Sequence, residues 1–409
     1  MLRPLACYLN MHRLENHRPL FPAGKSGYGA ALSVCSLFAM SRPLIVKPLP
    51  VPTPPNGLVV VDRAMAELRR GGIVLIEAGD GAKALVLAAE AATADSLNRL
   101  ARLAGATPSI VLTGRRAAVL GLVEADQPVA IISAATALSA QQVAMLADPL
   151  SAGKPEATLQ VADAPPPPWS PAAVALLKLA RLLPAAVVAP TAAAHTDLFH
   201  VRVDEVLGYQ PLAARSLRRV AEARVPLLDA EDCRIVAFRP ADGGVEHLAI
   251  IVGQPDRDQP VLTRLHSECF TGDLLASLRC DCGDQLRGAI TELARAGSGV
   301  LLYLAQEGRG IGLVNKLRAY DLQDAGLDTL DANQELGFDD DERIYLPAAE
   351  MLRLLGIGRV RLLTNNPGKV EGLARHGIEV TERVPHVFPS NDHNALYLRT
   401  KATRSGHLF

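Results

Sequence analysis

The chain of 409 residues has little net charge, few aromatic residues and few cysteines. Lys plus Arg (42) nearly balance Asp plus Glu (43), so nothing in the charge points to a nucleic-acid partner or an anionic membrane surface. No apolar run is long enough for a membrane span. Six cysteines in a chain of this length do not form a secreted disulfide framework. We therefore expect a globular protein of the reducing cytoplasm, with neither a nucleic-acid nor a membrane partner.

The chain is long enough for two or three domains. Residues 1–55 begin as a basic segment and end in a proline-rich run, and we leave them out of the fold. We expect them to be a disordered leader, a transit segment or the product of a start codon placed too early, with Met40 as the alternative start. Residues 56–205, here the front half, and residues 206–409, the rear half, both alternate strand and helix patterns. This alternation predicts two α/β domains built on mixed (α+β) sheets.

Cys269, Cys280 and Cys282 place three of the six cysteines within fourteen residues. Three thiolates are one ligand short of a closed structural zinc site, and three protein ligands with an open position are typical of catalytic zinc. The alternative is a structural knuckle with His266 as its fourth ligand. Arg264, His266 and Glu268 share one face of the strand predicted before the first cysteine, which suits acid/base chemistry, although an ordinary polar strand face is equally consistent.

Three further segments carry candidate chemistry. Glycines at a strand-to-helix turn in QEGRGIGLVNKLRAY (306–320) suit anion binding by backbone N–H groups, with Arg309, Lys316 and Arg318 adding charge; serving turn geometry alone is the alternative. The acid run in LGFDDDERIY (336–345) allows an acid/base pair but does not say which Asp matters. LLTNNPGK (362–369) presents a lysine at the carboxyl end of a predicted strand, where α/β folds bind ligands.

Together, RLHSECFTGDLLASLRCDCG, QEGRGIGL, LQDAGLDTLDAN, LGFDDDERIY and LLTNNPGK resemble, in this order, GTP cyclohydrolase II, the zinc enzyme that opens the guanine ring in riboflavin biosynthesis. The resemblance runs from about Leu217 to Leu408. It implies Asp341 as proton acceptor, Arg343 as the residue acting on the α-phosphate, and the three cysteines as zinc ligands. It also implies GTP binding by Arg264, Leu265, His266, Ser267, Glu268, Gln285, Glu307, Gly308, Arg309, Tyr320, Thr329, Thr364 and Lys369.

The resemblance further implies one Zn²⁺ per subunit, Mg²⁺ with the GTP phosphates, and a homodimer. The expected products are formate, pyrophosphate and 2,5-diamino-6-(5-phosphoribosylamino)pyrimidin-4-one. One departure is Ala305, where many family members carry Arg. Three alternatives stay open: a bifunctional enzyme, a non-catalytic nucleotide-binding regulator, and a cyclohydrolase that stops at a different ring-opened product.

The front half resembles 3,4-dihydroxy-2-butanone 4-phosphate synthase more faintly, through segments such as VDRAMAELRRGGIVLIEAGDG. The acidic loop of that family is reduced here to Glu77 and Asp80. Its Ser-Ala-x-Asp segment reads Ser-Ala-Ala-Thr at 133–136, and its His-Thr-Glu motif reads Trp-Ser-Pro at 169–171. Magnesium needs oxygen ligands and enolisation needs an acid/base group. We therefore expect a degenerate domain that folds without synthase activity and supports the rear half or the dimer.

Overall fold

The structure is a computed structural model that describes residues 56–124, 126–153, 159–388 and 404. The predicted leader, residues 1–55, lies outside the described residues, as does most of the segment after residue 388. All described residues belong to one compact unit, and they form two seven-stranded mixed sheets with helices on both. The predicted fold class is therefore confirmed. In the described part of the chain, no helix has both the length and the apolar character needed to cross a bilayer.

The front sheet contains the first seven strands, in the spatial order β5-β4-β3-β6-β2-β1-β7, and only its β1–β7 pair is parallel. Its strands are β1 (Val74–Glu77), β2 (Lys83–Ala88), β3 (Ser109–Thr113), β4 (Val129–Ala134), β5 (Leu159–Val161), β6 (Ala185–Pro190) and β7 (Phe199–Arg202).

Helices cover both faces of the front sheet. They are α1 (Asn56–Arg69), α2 (Ala94–Ala104), α3 (Gly114–Val119), α4 (Ala140–Ala147), α5 (Trp169–Leu179) and α6 (Val203–Arg215). One hydrophobic core lies under α1 and α5, and a second lies under α2, α3 and α4. Sequence signals set the ends of α2, since Thr93 and Ser96 form a capping box and Gly105 ends the helix in the left-handed conformation.

The rear sheet has the order β14-β13-β11-β12-β10-β9-β8, and β12, β11, β13 and β14 are mutually parallel. Its strands are β8 (Arg218–Arg224), β9 (Cys233–Arg239), β10 (His247–Val252), β11 (Val261–Ser267), β12 (Gly299–Leu304), β13 (Arg359–Leu363) and β14 (Glu379–Val384). Because β11, β12 and β13 are parallel neighbours, their carboxyl ends meet at one edge.

The helices of the rear half are α7 (Cys282–Arg295), α8 (Leu313–Asp324), α9 (Thr329–Glu335), α10 (Leu346–Leu354) and α11 (Pro367–Arg375). A π-helical turn over Phe270–Leu274 and a 3₁₀ turn over Glu307–Gly310 follow the ends of β11 and β12. The alternation of strands and helices predicted for this half is present.

The two halves join through α6 and through a shared hydrophobic cluster. The boundary predicted at residue 205 falls inside α6, while the chain changes sheets between Arg202 and Arg218. Leu183, from the turn before β6, packs with Ile311 and Phe338 of the rear half. Since side chains of both halves fill this cluster, α8 and α9 are held partly by the front half. The division at residue 205 stays a prediction.

Candidate active site

A cavity lies at the carboxyl edge of the rear sheet, where β11, β12 and β13 end side by side. β11 leads into Glu268 and Cys269, β12 into Glu307, and β13 into Thr364, and all four residues line the cavity. β11 and β12 are buried on both faces, whereas β13 is exposed at Arg359 and Arg361. Open α/β sheets bind ligands at this edge.

Cys269, Cys280 and Cys282 come together at one side of the cavity. Their Sγ atoms all lie within 4.8 Å of one another, and those of Cys269 and Cys280 are 3.7 Å apart. Tetrahedral zinc at about 2.3 Å from each sulfur would separate the sulfurs by about 3.8 Å. Gly272 faces the same space, where a Cβ would come within 2.8 Å of Cys280 Sγ and 3.1 Å of Cys269 Sγ. The donor set and the glycine beside it therefore fit a zinc ion with an open position.

A buried lysine accompanies the thiols. Lys316 Nζ lies 3.1 Å from Cys269 Sγ and 2.9 Å from Glu307 Oε1. Burial alone would lower the pKa of Lys316, but Glu307 and Cys269 raise it above the ordinary value, so the lysine is charged. Hydrogen bonds with the Cys280 and Cys282 thiols, followed by the charge of Lys316, lower the pKa of Cys269. The first thiol is therefore stabilised as a thiolate.

His266 is buried at the cavity wall and bound to an aspartate. Its Nε2 lies 3.0 Å from Asp273 Oδ1, and Asp273 Oδ2 accepts hydrogen bonds from Tyr303 OH at 2.9 Å and from Cys269 N at 3.0 Å. Burial lowers the pKa of His266, although Asp273 opposes this. Its Nδ1 is buried and has no hydrogen-bond partner among the described residues. The thiol group does not include His266, so the knuckle with this histidine as fourth ligand is not supported.

Two buried cations line the cavity, Arg264 from within β11 and Lys369 from α11. Arg264 Nη1 donates to Leu363 O at 2.9 Å, and its Nη2 bonds to Gln285 Oε1. Burial lowers the pKa of Arg264 to about 10, which leaves it charged near neutral pH. Lys369 Nζ donates to Leu265 O at 2.7 Å. Leu265, predicted to contact GTP, lies in the sheet core and does not line the cavity.

The aspartates of the acid run have different hydrogen-bond and ion-pair partners. Arg343 lines the cavity, and its guanidinium donates two hydrogen bonds to Asp341, at 2.8 Å from Nε and 2.6 Å from Nη2. Burial alone would raise the pKa of Asp341, but Arg343 holds it below the ordinary value, so the carboxylate is ionised. Asp339 instead pairs with Arg115 of the front half at 3.2 Å. Asp341 is an exposed neighbour of Arg343 and is not part of the cavity wall.

The glycines of the QEGRGIGL motif have a geometric role. Gly308 N donates to Glu307 Oε1 at 2.9 Å, Gly310 N to Gln306 O at 3.2 Å, and Gly312 N to Glu307 O at 3.0 Å. All three have positive φ values, which glycine adopts without strain. The loop uses these three N–H groups itself, which favours turn geometry over anion binding, and GTP binding at Gly308 stays a prediction.

Comparison with known proteins identifies the family. A model of the GTP cyclohydrolase II family matches residues 218–385. A GTP cyclohydrolase-2 of Azospirillum brasilense is 58% identical over 360 residues, which cover 85% of this chain and 94% of that protein. This chain belongs to the GTP cyclohydrolase-2 family.

Other members of the family differ in length. A GTP cyclohydrolase-2 of Xylella fastidiosa (strain 9a5c) is 40% identical over 88% of this chain and 89% of its own length. One of Yersinia pestis is 55% identical over 47% of this chain and 97% of its own length. The solved two-domain 3,4-dihydroxy-2-butanone 4-phosphate synthase from A. baumannii has 18% identity and a TM-score of 0.31, over 74% of this chain and 93% of that one. A similarity that low decides nothing about the front half.

Within the GTP cyclohydrolase-2 chain, the predicted site residues largely converge. All of them except Leu265 and Asp341 line this cavity. The predicted residues on its wall are Arg264, His266, Ser267, Glu268, Cys269, Cys280, Cys282, Gln285, Glu307, Gly308, Arg309, Tyr320, Thr329, Arg343, Thr364 and Lys369.

For three residues, the structure gives a role that the sequence did not indicate. Lys316 was expected only as added charge, yet it binds Glu307 and Cys269. Asp273 orients His266, and its place four residues after Cys269 in the FTGD motif was the available signal. Arg318 does not line the cavity; it turns to the front half and lies 3.5 Å from Glu90.

Proposed function

We propose that this chain hydrolyses GTP to formate, pyrophosphate and 2,5-diamino-6-(5-phosphoribosylamino)pyrimidin-4-one at the rear-half cavity, as the first step of riboflavin biosynthesis. The observation that carries the proposal is the convergence of three thiols, a histidine with an unpartnered buried nitrogen, and six cationic side chains on one cavity wall. Membership of the GTP cyclohydrolase-2 family supports it.

The three cysteines would hold one Zn²⁺ per subunit. When bound with an open position, zinc lowers the pKa of a coordinated water and so supplies a nucleophile near neutral pH. The spacing of the Sγ atoms and the thiolate character of Cys269 support this assignment. Lys316 keeps that thiolate and Glu307 in fixed positions.

The cations would bind the triphosphate. Arg264, Arg309, Arg343 and Lys369 all line the cavity, and guanidinium groups match phosphate oxygens in bidentate hydrogen bonds. Arg343 would offset the charge that develops at the α-phosphate when pyrophosphate leaves. Among the described residues, the cysteines are the one metal-compatible group of three, so Mg²⁺ would take its oxygen ligands chiefly from the phosphates and from water.

Asp341 and His266 would carry out the proton transfer and the hydrogen bonding that the reaction requires. Hydrolysis at C8 of guanine consumes water, breaks the ring C–N bonds and releases C8 as formate, so protons must move from water to the ring nitrogens. Asp341 is held ionised by Arg343 and can accept a proton. His266 Nδ1 faces no protein partner among the described residues and can bond to the base.

The test is incubation of the full chain with GTP, zinc and magnesium, with formate, pyrophosphate and the pyrimidine quantified separately. Equal amounts of all three are expected. The absence of turnover in the metal-loaded enzyme would support the non-catalytic regulator instead. A pyrimidine formed without pyrophosphate would indicate a different ring-opened product.

We also propose that the front half has no synthase activity. Glu77 is bound to Lys83 at 3.7 Å and to His200 at 2.8 Å, and Trp169 lies in the hydrophobic core. Conversion of ribulose 5-phosphate by the full chain is therefore expected to stay at the background rate. Formation of the butanone phosphate above that rate would establish the bifunctional alternative.

A homodimer is the assembly we propose. Leu274, Leu275 and Leu278 beside the thiol site are 58–70% exposed, and Val314 and Leu317 of α8 are at least half exposed. Apolar side chains in such number suit a protein interface. Sedimentation of the full chain measures the mass directly, and a monomer at micromolar concentration would contradict the proposal. Localisation in the cytoplasm stays a prediction from the sequence.

A further inference from the structure

The turn between α5 and β6, residues 180–184, reaches from the front half to the wall of the active site. We name it the Arg181 loop. Leu183 in this loop is 1% exposed and belongs to the cluster that contains Ile311 of the rear half. Its N–H donates to Glu90 Oε2 at 2.8 Å, and Glu90 lies 3.5 Å from Arg318 of α8. The loop is therefore anchored on both halves.

Arg181 has an uncommon backbone conformation. It directly follows the C-cap of α5 and has φ of +59°. This position is usually glycine, sometimes asparagine, because other residues are strained in the left-handed region. A strained non-glycine residue persists where the surrounding structure holds it, which often indicates a role for its side chain.

The contacts of Arg181 lie on the segment that follows β12. Its Nη2 donates to Ala305 O at 3.1 Å, and its own carbonyl accepts from the buried Asn315 Nδ2 at 3.1 Å. A Cβ at Gly312 would stand 3.1 Å from Arg181 Cβ, so the backbone there runs against the arginine. On its amide side, Ala305 N donates to His247 Nδ1 at 3.0 Å. Arg181 and His247 thus hold the polar groups of Ala305 from two sides.

Gln306 and Glu307, which directly follow Ala305, contact residues around the thiol site. Gln306 Nε2 donates to Ser267 Oγ at 3.0 Å. Glu307 then accepts from Phe270 N at 2.6 Å and from Lys316 Nζ at 2.9 Å, and Lys316 contacts Cys269. A displacement of Ala305 would therefore move Glu307, and through one or two hydrogen bonds it would also displace Cys269.

We propose that Arg181 is a positioning residue for GTP hydrolysis, and that the front half serves the reaction by presenting it. Arg181 does not itself line the cavity; it fixes Ala305 and thereby Glu307. This inference rests on the proposed cyclohydrolase activity. It gives the front half a defined mechanical role that needs no chemistry of its own.

The decisive variant is Arg181→Gly in the full chain. Glycine suits the left-handed backbone and keeps the carbonyl that Asn315 binds, so the change removes only the guanidinium and its stem. A small misplacement of a catalytic constellation costs about 10- to 100-fold in rate. We expect kcat to fall by about tenfold or more, with a smaller change in KM, because Glu307 borders the thiol site. Arg115→Ala, which removes another arginine at the junction of the halves, is the matched control and should leave both constants within about twofold, as is usual for exposed ion pairs.

Two further readouts separate positioning from a loss of stability. Sub-denaturing guanidinium chloride should restore part of the activity of Arg181→Gly, whereas sodium chloride at the same ionic strength should not. Hydrogen exchange in peptides from the 299–316 region should speed up in Arg181→Gly and stay unchanged in Arg115→Ala.

Unchanged kcat and unchanged exchange in Arg181→Gly would overturn the inference. A loss of activity without guanidinium rescue, matched by a fall in melting temperature, would overturn it as well. If the wild-type chain does not hydrolyse GTP, the proposed function fails, while the exchange comparison still decides whether Arg181 holds the segment.

Discussion

The front and rear halves carry mixed sheets of the same size, yet they treat their polar groups differently. In the front half, Glu77 is bound by Lys83 and His200 at a partly exposed site, and Trp169 fills the core where the synthase resemblance expects acid/base chemistry. In the rear half, Arg264 and His266 are buried at a cavity wall. A shared class of fold therefore says little about activity, which depends on polar groups arranged around a cavity.

The same contrast holds for ion pairs. The Lys83–Glu77 pair has side chains about one quarter exposed, whereas those of Lys316 and Glu307 are 10% and 4% exposed. Burying charges is unfavourable unless each finds a partner. The rear half accepts this cost at its site and compensates it with hydrogen bonds to a thiol, a hydroxyl and a backbone amide.

The largest effect is expected from the thiols. Cys280→Ser should lower kcat by at least about 1000-fold, because changes beyond the direct ligands of a metal already cost 10- to 100-fold. Zinc content per chain, measured by atomic spectroscopy, should fall in parallel. Cys233→Ser replaces another buried thiol, in β9 away from the cavity, and should keep both metal and activity. Full turnover by Cys280→Ser would contradict the zinc assignment.

Next in size is the loss of a buried charge. Lys316→Met leaves Glu307 buried without its cation and should lower the free energy of unfolding by about 3–5 kcal/mol. Lys83→Met in the front half should cost about 0.2–1 kcal/mol, since its pair is partly exposed. Urea denaturation of both variants measures the difference. Equal costs would mean that the two pairs are equivalent, against the contrast drawn from their burial.

A smaller loss is expected at the acid run. Asp341→Asn removes the carboxylate that Arg343 keeps ionised and should lower kcat by about 100-fold or more, the usual contribution of a general base. Asp339→Asn, two residues earlier, disturbs only ion pairs with Arg115 and Lys178 of the front half and should stay within about twofold. Steady-state GTP turnover compares them, and similar losses in the two variants would remove Asp341 from its role.

Much of this architecture could be predicted because its signals are local. The alternation of buried strands and amphipathic helices is typical of α/β sheets. The three cysteines are close together in the sequence, so their proximity in the fold could be expected from the sequence alone. Parallel strands then bring Glu268, Glu307 and Thr364 to one edge, although they are far apart in sequence.

The remainder depends on contacts between distant segments. Whether Lys316 turns to the thiols while Arg318, two residues later, turns to Glu90 depends on how α8 sits between the halves. The resemblance named Asp341, but the different surroundings of Asp339, which Arg115 and Lys178 of the front half bind, are visible only in the folded chain. Arg181 and His247 show no sequence motif at all, and only the folded chain brings them to Ala305.

Replacing His247 is expected to have the smallest effect, a change in how stability depends on pH. It also tests the contrast between the front and rear halves. Burial and then the charge of Arg181 lower its pKa from 6.5 to about 4. Below pH 6.5 the unfolded chain binds a proton that the folded chain excludes, so stability is complete above 6.5 and falls as the pH drops toward 4. Between pH 7 and 5 this histidine should cost about 2 kcal/mol, at 1.36 kcal/mol per pH unit below 6.5. His247→Asn keeps an acceptor for Ala305 N but cannot titrate, so urea denaturation at the two pH values should show a loss about 2 kcal/mol smaller than in the wild type. If the wild type and His247→Asn showed the same pH dependence, the rear half would have to open on acidification far enough to hydrate His247. The active site would then be less rigid than its buried contacts indicate.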